Sequence, residues 1–188
     1  MKKVILDNIK AIVLVLTISS ISSCSKNDDN IHDLSETIYI RHKNADMPAY
    51  IHGNASEDVF LVMLHGGPGG TGWEQRINTI KSKIEKNNAV VYFDQRGSGN
   101  SQGSYSESDV SVDLMAEDIL ALTKVLKAKY GNDNKLFLLV QSWGGTLGSA
   151  TLLKDQRHFS GWIDVDGSHD PKGSYNAYKR TLKEIADE

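Results

Sequence analysis

One serine stands between a short apolar run and two glycines. Residues 136–140 are apolar and lead directly into the sequence QSWGG at residues 141–145. The run predicts a strand, and a helix is predicted over residues 146–154. A serine on a sharp turn between a strand and a helix projects its hydroxyl clear of the sheet, and small residues such as Gly144 let the two elements pack closely. The pattern therefore predicts that Ser142 is a nucleophile, with the positive end of the helix dipole beside it.

A second serine lies in a literal match to the usual nucleophile pattern, G-x-S-x-G. Residues 99–103 read GNSQG, whereas Val140 stands where the sequence around Ser142 would have its first glycine. Ser101 lies seven residues beyond Asp94, in a polar loop that continues through residue 108. Ser142 joins its strand directly to its helix, so we predict Ser142 rather than Ser101 as the nucleophile.

A glycine-rich segment, HGGPGG at residues 65–70, follows another predicted strand. Glycines leave backbone amides unobstructed and Pro68 fixes the turn, as expected for a loop that stabilises an oxyanion. With the amide of Trp143, this loop would give two donors to a tetrahedral oxyanion. The alternative, a phosphate-binding loop, fits poorly because no G-K-[ST] follows and the glycines are not spaced G-x-G-x-x-G.

Alternating strands and helices must position these segments. The predicted strands are residues 38–41, 50–52, 59–64, 89–93, 136–140 and 162–165, with a hairpin turn across 44–48. The predicted helices are 73–86, 112–129, 146–154 and 175–188. In helix 112–129 the apolar residues share one face, and Asp113, Glu117 and Asp118 are interpreted as solvated charges near its start. The alternation predicts an α/β fold with a mostly parallel sheet and helices on both faces.

Three segments in one order carry a resemblance to a known family. HGGPGG (65–70), DQRGSGNS (94–101) and SWGG (142–145) resemble the proline iminopeptidase family of α/β-hydrolase serine peptidases, over residues 39–167. The resemblance implies an α/β-hydrolase fold and hydrolysis of amides or esters of small N-terminal residues. It implies that Ser142 is the nucleophile and that Gly67 and Trp143 are oxyanion donors. The residues implied to support them are His65, Gly66, Pro68, Gly69, Asp94, Arg96 and Gly144. Asp94 and Arg96 are expected to form a buried pair.

The acid and base of such a triad are expected later in the chain, in the order Ser, Asp or Glu, His. Only 46 residues (188 minus 142) follow Ser142, and their histidines are His158 and His169. We expect His158 at the surface, and keep His169 and Asp166 as minor candidates for base and acid. The expected organisation is the N-terminal part of the hydrolase core at 36–170 and the start of a cap at 171–188, truncated before the last strands. A serine without its base retains little catalysis, so we expect the chain alone to be inactive.

The first residues predict export. Two lysines precede an apolar run at 11–16 and a small, polar stretch, which predicts a signal peptide over residues 1–23 that is too short to span a membrane. The sequence ISSC at 21–24 resembles a lipobox, so Cys24, the only cysteine, is predicted to carry a lipid anchor. A plain signal peptide with an incidental cysteine is the alternative. The polar residues 24–35 are predicted to be a tether. The expected location is the cell envelope, with the chain anchored to a membrane.

Composition narrows the partners. A chain of 188 residues with 39% hydrophobic content is long enough for one well-buried core. A net charge of -3 gives no broad positive field, so nucleic acid is not expected as a partner. We expect a small-molecule or short-peptide substrate, no cofactor and no metal. Two other functions stay open: an esterase or lactonase of the same fold, and a noncatalytic binding module, which the truncation and Val140 favour.

Overall fold

Seven strands form one sheet within residues 32–186, the part of the chain that the computed structural model describes. The strands are β1 (Leu34–His42), β2 (Ala45–Gly53), β3 (Val59–Leu64), β4 (Ala89–Phe93), β5 (Gln102–Gly103), β6 (Lys135–Ser142) and β7 (Gly161–Gly167). Their order is β1-β2-β4-β3-β6-β7, and β5 pairs with β2 off this path. The pairs β4–β3, β3–β6 and β6–β7 are parallel, whereas β2 pairs antiparallel with both β1 and β4. The predicted mostly parallel sheet is confirmed, with an antiparallel edge.

The N-terminal predictions fall almost entirely outside this part of the chain. The predicted signal peptide, residues 1–23, and Cys24 lie outside the described residues, as does most of the predicted tether. The tether prediction was too long at its end, because β1 already begins at Leu34.

The first two strands form the predicted hairpin, but the predicted turn across residues 44–48 was wrong. His42 pairs with Ala45, so the turn consists of Lys43 and Asn44 alone. Pro48 lies inside β2, where a proline would normally remove a hydrogen bond of the ladder. It is tolerated because the ladder between β2 and β4 ends at Ala49 and Phe93, and just beyond it Pro48 only has to accept a hydrogen bond, from the Asp94 amide at 3.0 Å.

Four α-helices complete the described fold: α1 (Asn78–Lys83), α2 (Val112–Tyr130), α3 (Trp143–Asp155) and α4 (Pro171–Ala186). The prediction of α2 is confirmed, and the Ser111 side chain caps it by accepting a hydrogen bond from the amide of Leu114. The helix predicted at 73–86 was wrong: a 3-10 turn, Gly72–Gln75, precedes a short α1, and Ile77 between them is extended and 57% exposed. None of the helices within residues 32–186 is long and apolar enough to cross a membrane.

The core lies on both faces of the sheet. On one face, Ile119 of α2 and Leu147 of α3 pack against the central strands. On the other, Ile80 and Ile84 pack over a smaller cluster that includes Tyr92. Because β3, β4 and the apolar part of β6 are covered on both faces, they are apolar throughout, as expected of buried parallel strands. These strands hold the loops of the candidate site in fixed positions.

Candidate active site

Three neighbouring parallel strands end at the same level of the sheet. Leu64, the last residue of β3, pairs with Phe93 of β4 on one side and with Val140 of β6 on the other. The segments that leave the sheet there are residues 65–70, 94–101 and 141–145, the last of which passes directly from β6 into α3. Sites in open α/β sheets form at this carboxyl edge, so the fold brings the three predicted segments side by side.

Ser142 lies in a strained turn. It is the last residue of β6 and the N-cap of α3, with φ 49° and ψ -120°. Such a conformation costs a residue other than glycine on the order of 1–3 kcal/mol and persists only where the surroundings enforce it. Ser142 is exposed. The helix begins at Trp143 rather than at residue 146 as predicted. The Trp143 amide therefore has no acceptor within the helix.

Glycines let α3 approach the sheet at this turn. A Cβ atom at Gly144 would lie 2.1 Å from the carbonyl oxygen of Leu64, and one at Gly145 would lie 2.6 Å from Cα of Gly167. Both contacts are with backbone atoms that cannot swing aside. Any side chain at these two positions would push the helix away from the ends of β3 and β7.

Val140 replaces the first glycine of the usual pattern, and a glycine in the helix makes room for it. Val140 is fully buried. A Cβ atom at Gly148 would lie 2.8 Å from Cγ1 of Val140, closer than real Cβ atoms come to a carbon atom. The valine therefore occupies space that the missing side chain of Gly148 leaves open, and the tight turn at Ser142 is kept.

The glycine-rich loop folds tightly beside the serine. A Cβ atom at Gly66 would lie 3.2 Å from Cβ and 3.7 Å from Oγ of Ser142. Gly67 has φ 133°, a conformation that favours glycine, and its bond to Pro68 is cis. A Cβ atom at Gly67 would lie 2.8 Å from the amide nitrogen of Gly69, so the loop turns back on itself. The donor roles of Gly67 and Trp143 stay predictions.

His65 stabilises the start of this loop as a neutral residue. Its side chain is buried, and burial lowers its pKa. Nδ1 donates a hydrogen bond to the Gly66 carbonyl at 2.7 Å, and Nε2 accepts one from the Gln95 amide at 3.4 Å. These partners assign the neutral form with the proton on Nδ1.

Asp94 and Arg96 are both buried, but the expected pair between them was wrong. Asp94 accepts hydrogen bonds from the Thr71 hydroxyl at 2.6 Å, the Gly72 amide at 2.8 Å and the Asn100 amide at 2.7 Å. These donors already satisfy its oxygens. Asp94 therefore ties the residues directly after the glycine-rich loop to the loop after β4.

Arg96 pairs instead with Asp118 of α2. The guanidinium donates two hydrogen bonds to Asp118, at 2.8 and 2.7 Å, and His42 Nδ1 lies 2.6 Å from the same carboxylate. Asp118 is 1% exposed, so its interpretation as a solvated charge was wrong. The sequence held a signal that was missed: Asp118 lies three residues after Met115 and four before Leu122, on the apolar face of the helix.

None of the other candidate residues is hydrogen-bonded to the Ser142 hydroxyl in the described part of the chain. Ser101 is in a turn, and its hydroxyl donates to the Asp94 carbonyl at 2.8 Å. His158 is partly exposed beside Asp155. His169 lies 2.6 Å from Asp164 through Nε2 and 3.2 Å from the Ser149 hydroxyl through Nδ1.

Asp166 is exposed, with φ 56°. Within residues 32–186, no histidine is hydrogen-bonded to the Ser142 side chain, and no cluster of three or more His, Cys, Asp or Glu side chains could hold a metal ion.

The sequence matches the family model described as alpha/beta hydrolase fold over residues 59–182, which is more than half of the chain. The chain belongs to the α/β-hydrolase fold family. Two proline iminopeptidases are among its curated relatives. The one from Saccharolobus solfataricus is 32% identical, over 68% of this chain and 39% of that protein. The one from Thermoplasma volcanium is 30% identical, over 69% of this chain and 42% of that protein. The resemblance to proline iminopeptidases is confirmed.

Other proteins similar to this chain include some with different named activities. The lysophosphatidylserine lipase ABHD12 of Mus musculus is 30% identical, over 63% of this chain and 27% of that protein. The solved structure of a proline iminopeptidase-related protein from Thermus thermophilus is 28% identical with a TM-score of 0.60, over 71% of this chain and 45% of that one. An epoxide hydrolase from Vigna radiata, 21% identical with a TM-score of 0.57 over 69% of this chain and 37% of that one, shares the fold. The chain thus spans less than half the length of the relatives it matches.

Proposed function

We propose that this chain carries the nucleophile of a serine hydrolase that cleaves amide or ester bonds of small substrates. The conformation of Ser142 carries the proposal. An exposed serine holds a strained backbone at the junction of β6 and α3, and Gly66 lies against its side chain. A strained turn of this kind places a serine hydroxyl above the sheet in α/β-hydrolases that use a serine nucleophile.

In the proposed reaction, Oγ of Ser142 attacks the carbonyl carbon of the scissile bond. As the new C–O bond forms, the carbonyl oxygen becomes an oxyanion, which the amides of Gly67 and Trp143 would stabilise. A base takes the hydroxyl proton and delivers it to the leaving amine or alcohol, and water then hydrolyses the acyl-enzyme. In this fold the acid and base follow the nucleophile in the chain. No histidine within residues 32–186 is hydrogen-bonded to the Ser142 side chain, and we therefore propose that these 188 residues alone do not turn over substrate.

The preferred substrate class is a short peptide with a small N-terminal residue. It rests on the relatives named proline iminopeptidase, which are 32% and 30% identical to this chain. A second candidate is ester hydrolysis, which the relative named lysophosphatidylserine lipase favours at 30% identity. Both substrates would use the same nucleophile, because the attacked group is a carbonyl in each.

A chimera tests the activity and separates these substrates. The chain is joined after β7 to the C-terminal part of the Saccharolobus solfataricus relative and assayed with prolyl-p-nitroanilide and with p-nitrophenyl acetate. Release of nitroaniline that Ser142→Ala abolishes supports the peptidase. Ester cleavage alone, again dependent on Ser142, supports the second candidate. A folded chimera without either activity contradicts the hydrolase and favours the binding module.

We further propose that Cys24 anchors the protein to a membrane through a lipid. The proposal rests on the sequence ISSC at residues 21–24 after a predicted signal peptide. Mass spectrometry of the mature N-terminus from a bacterial host should find a diacylglyceryl group on Cys24, and Cys24→Ser should release the protein from the membrane fraction. An unmodified Cys24 in mature protein contradicts the proposal.

A further inference from the structure

One buried side-chain amide joins all three loops of the candidate site. Gln95 lies in the loop after β4 and is 1% exposed. Its Nε2 donates a hydrogen bond to the carbonyl of His65 at 3.0 Å, and its Oε1 accepts one from the indole Nε1 of Trp143 at 3.1 Å. Its backbone amide also donates to the His65 ring. The family resemblance assigned no role to Gln95.

We propose that Gln95 is a positioning residue that sets the distance between the glycine-rich loop and the Ser142 turn. The proposal rests on the hydrolase function proposed above. Its geometry is a closed ring of contacts: His65 precedes Gly66, Gly66 lies against Ser142, and Trp143 follows Ser142. Gln95 bridges His65 and Trp143, so the glycine-rich loop and the Ser142 turn cannot move apart without breaking one of its hydrogen bonds.

Glutamine is the side chain that fits both partners. A primary amide offers a donor and an acceptor at a fixed separation, whereas the indole nitrogen only donates and the carbonyl oxygen only accepts. In the flipped orientation, the amide would place donor against donor and acceptor against acceptor. Glutamate keeps the acceptor for Trp143 and loses the donor for His65, and methionine of similar shape loses both. A loop displacement of about 1 Å is enough to lower a reaction rate about a hundredfold.

The 188-residue chain provides the test. Without a base, the remaining reactivity of a serine depends on the oxyanion donors and on binding, which are the features that Gln95 would position. Wild type, Gln95→Met and Gln95→Glu are incubated with a fluorophosphonate probe for hours, and adduct at Ser142 is measured by mass spectrometry at several probe concentrations. Gln102→Met is the matched control, because Gln102 is an exposed glutamine in β5, directly after the same loop. A ¹H–¹⁵N spectrum of each variant reports the Trp143 indole signal.

We expect Gln95→Met to move the Trp143 indole signal and leave those of Trp73 and Trp162 in place. The limiting rate of adduct formation should fall about ten- to a hundredfold while the half-saturating probe concentration stays the same. Gln95→Glu should retain the indole signal and still slow the reaction, and Gln102→Met should match wild type. If Gln95→Met does not fold, Trp143→Phe removes the same hydrogen bond from the other side and should slow the reaction to a similar extent.

A wild-type rate in folded Gln95→Met, or an unmoved indole signal, overturns the proposal. If wild type forms no adduct at Ser142, labelling of the chimera decides the hydrolase function, and the spectra of the 188-residue chain decide the role of Gln95 separately. Gln95→Met must then shift the backbone amide signals of both residues 65–70 and residues 142–145. A shift confined to one loop shows that Gln95 does not hold the two together.

Discussion

Replacing Gly148 by alanine is expected to destabilise the chain, although alanine is the better helix former. The new Cβ atom would lie 2.8 Å from Cγ1 of Val140. Carbon atoms pack best at a separation of about 3.5–4.0 Å, so something must move. Val140 is fully buried and branched at Cβ, which leaves it few rotamers. The strain therefore falls on the contact between β6 and α3, directly beside Ser142.

The size of the effect follows from two opposing contributions. Overpacking of a tight core costs about 1–3 kcal/mol, whereas replacing glycine by alanine inside a helix returns about 1 kcal/mol. Gly148→Ala in wild type should therefore lower the free energy of unfolding by about 0–2 kcal/mol. In a Val140→Ala chain the clash is gone, so the same substitution should raise that free energy by about 1 kcal/mol. The coupling between the two positions should be about 1–3 kcal/mol.

Urea unfolding of four proteins measures this coupling: wild type, Val140→Ala, Gly148→Ala and the double variant. The cycle contains its own control, because the helix propensity gained at residue 148 is the same in both backgrounds and cancels. A gain of about 1 kcal/mol from Gly148→Ala in wild type would contradict the packing explanation. A coupling within about 0.5 kcal/mol of zero would do the same, since residues that do not interact show additive effects.

Two further predictions concern buried groups around the candidate site. Asp118→Asn should lower the free energy of unfolding by about 3–5 kcal/mol because it leaves Arg96 buried without a countercharge. Asp113→Asn, which removes an exposed pair with Lys154, should lower it by less than about 1 kcal/mol. Equal losses in urea unfolding would refute this. Burial holds the pKa of His65 below its usual 6.5, so as the pH falls the imidazole is protonated in the unfolded chain before it is protonated in the folded one. The contribution of His65 to stability is therefore complete above about pH 6.5 and is lost as the pH falls below that value. His65→Gln should flatten the fall in unfolding free energy below pH 6.5, and His52→Gln should account for the separate share of His52, whose pKa is also lowered, first of all by burial; an unchanged slope in His65→Gln would contradict the assignment.

Local patterns were sufficient to predict the central strands β3, β4 and β6, the segments that follow them, and the helix α2. The apolar runs of β3, β4 and β6 are short and bounded by polar or glycine-rich segments, and such runs alternating with helices pack in few ways. The errors occurred where local signals conflicted. Pro48 indicated a turn but lies in a strand, at the end of the ladder with β4, where it accepts a hydrogen bond and need not donate one. The spacing of Ile77, Ile80 and Ile84 indicated one helix, although Ile77 faces solvent.

The site was predictable from the sequence only in part. Ser142 was preferred over Ser101 from the strand and helix around it, and both serines lie in the predicted surroundings. The pairing of Arg96 with Asp118 depends on how α2 lies over the sheet, which no spacing in the sequence specifies. The role of Gln95 depends on three segments, around residues 65, 95 and 143, that meet only because three strands end in register.

The central claim is that Ser142 is the nucleophile, and site-resolved labelling of the chimera tests it most directly. A fluorophosphonate probe should modify Ser142 within minutes, Ser142→Ala should abolish the labelling, and Ser101→Ala should leave it intact, because the Ser101 hydroxyl is held by the Asp94 carbonyl. Adduct on Ser101, or labelling that survives in Ser142→Ala, would contradict the account.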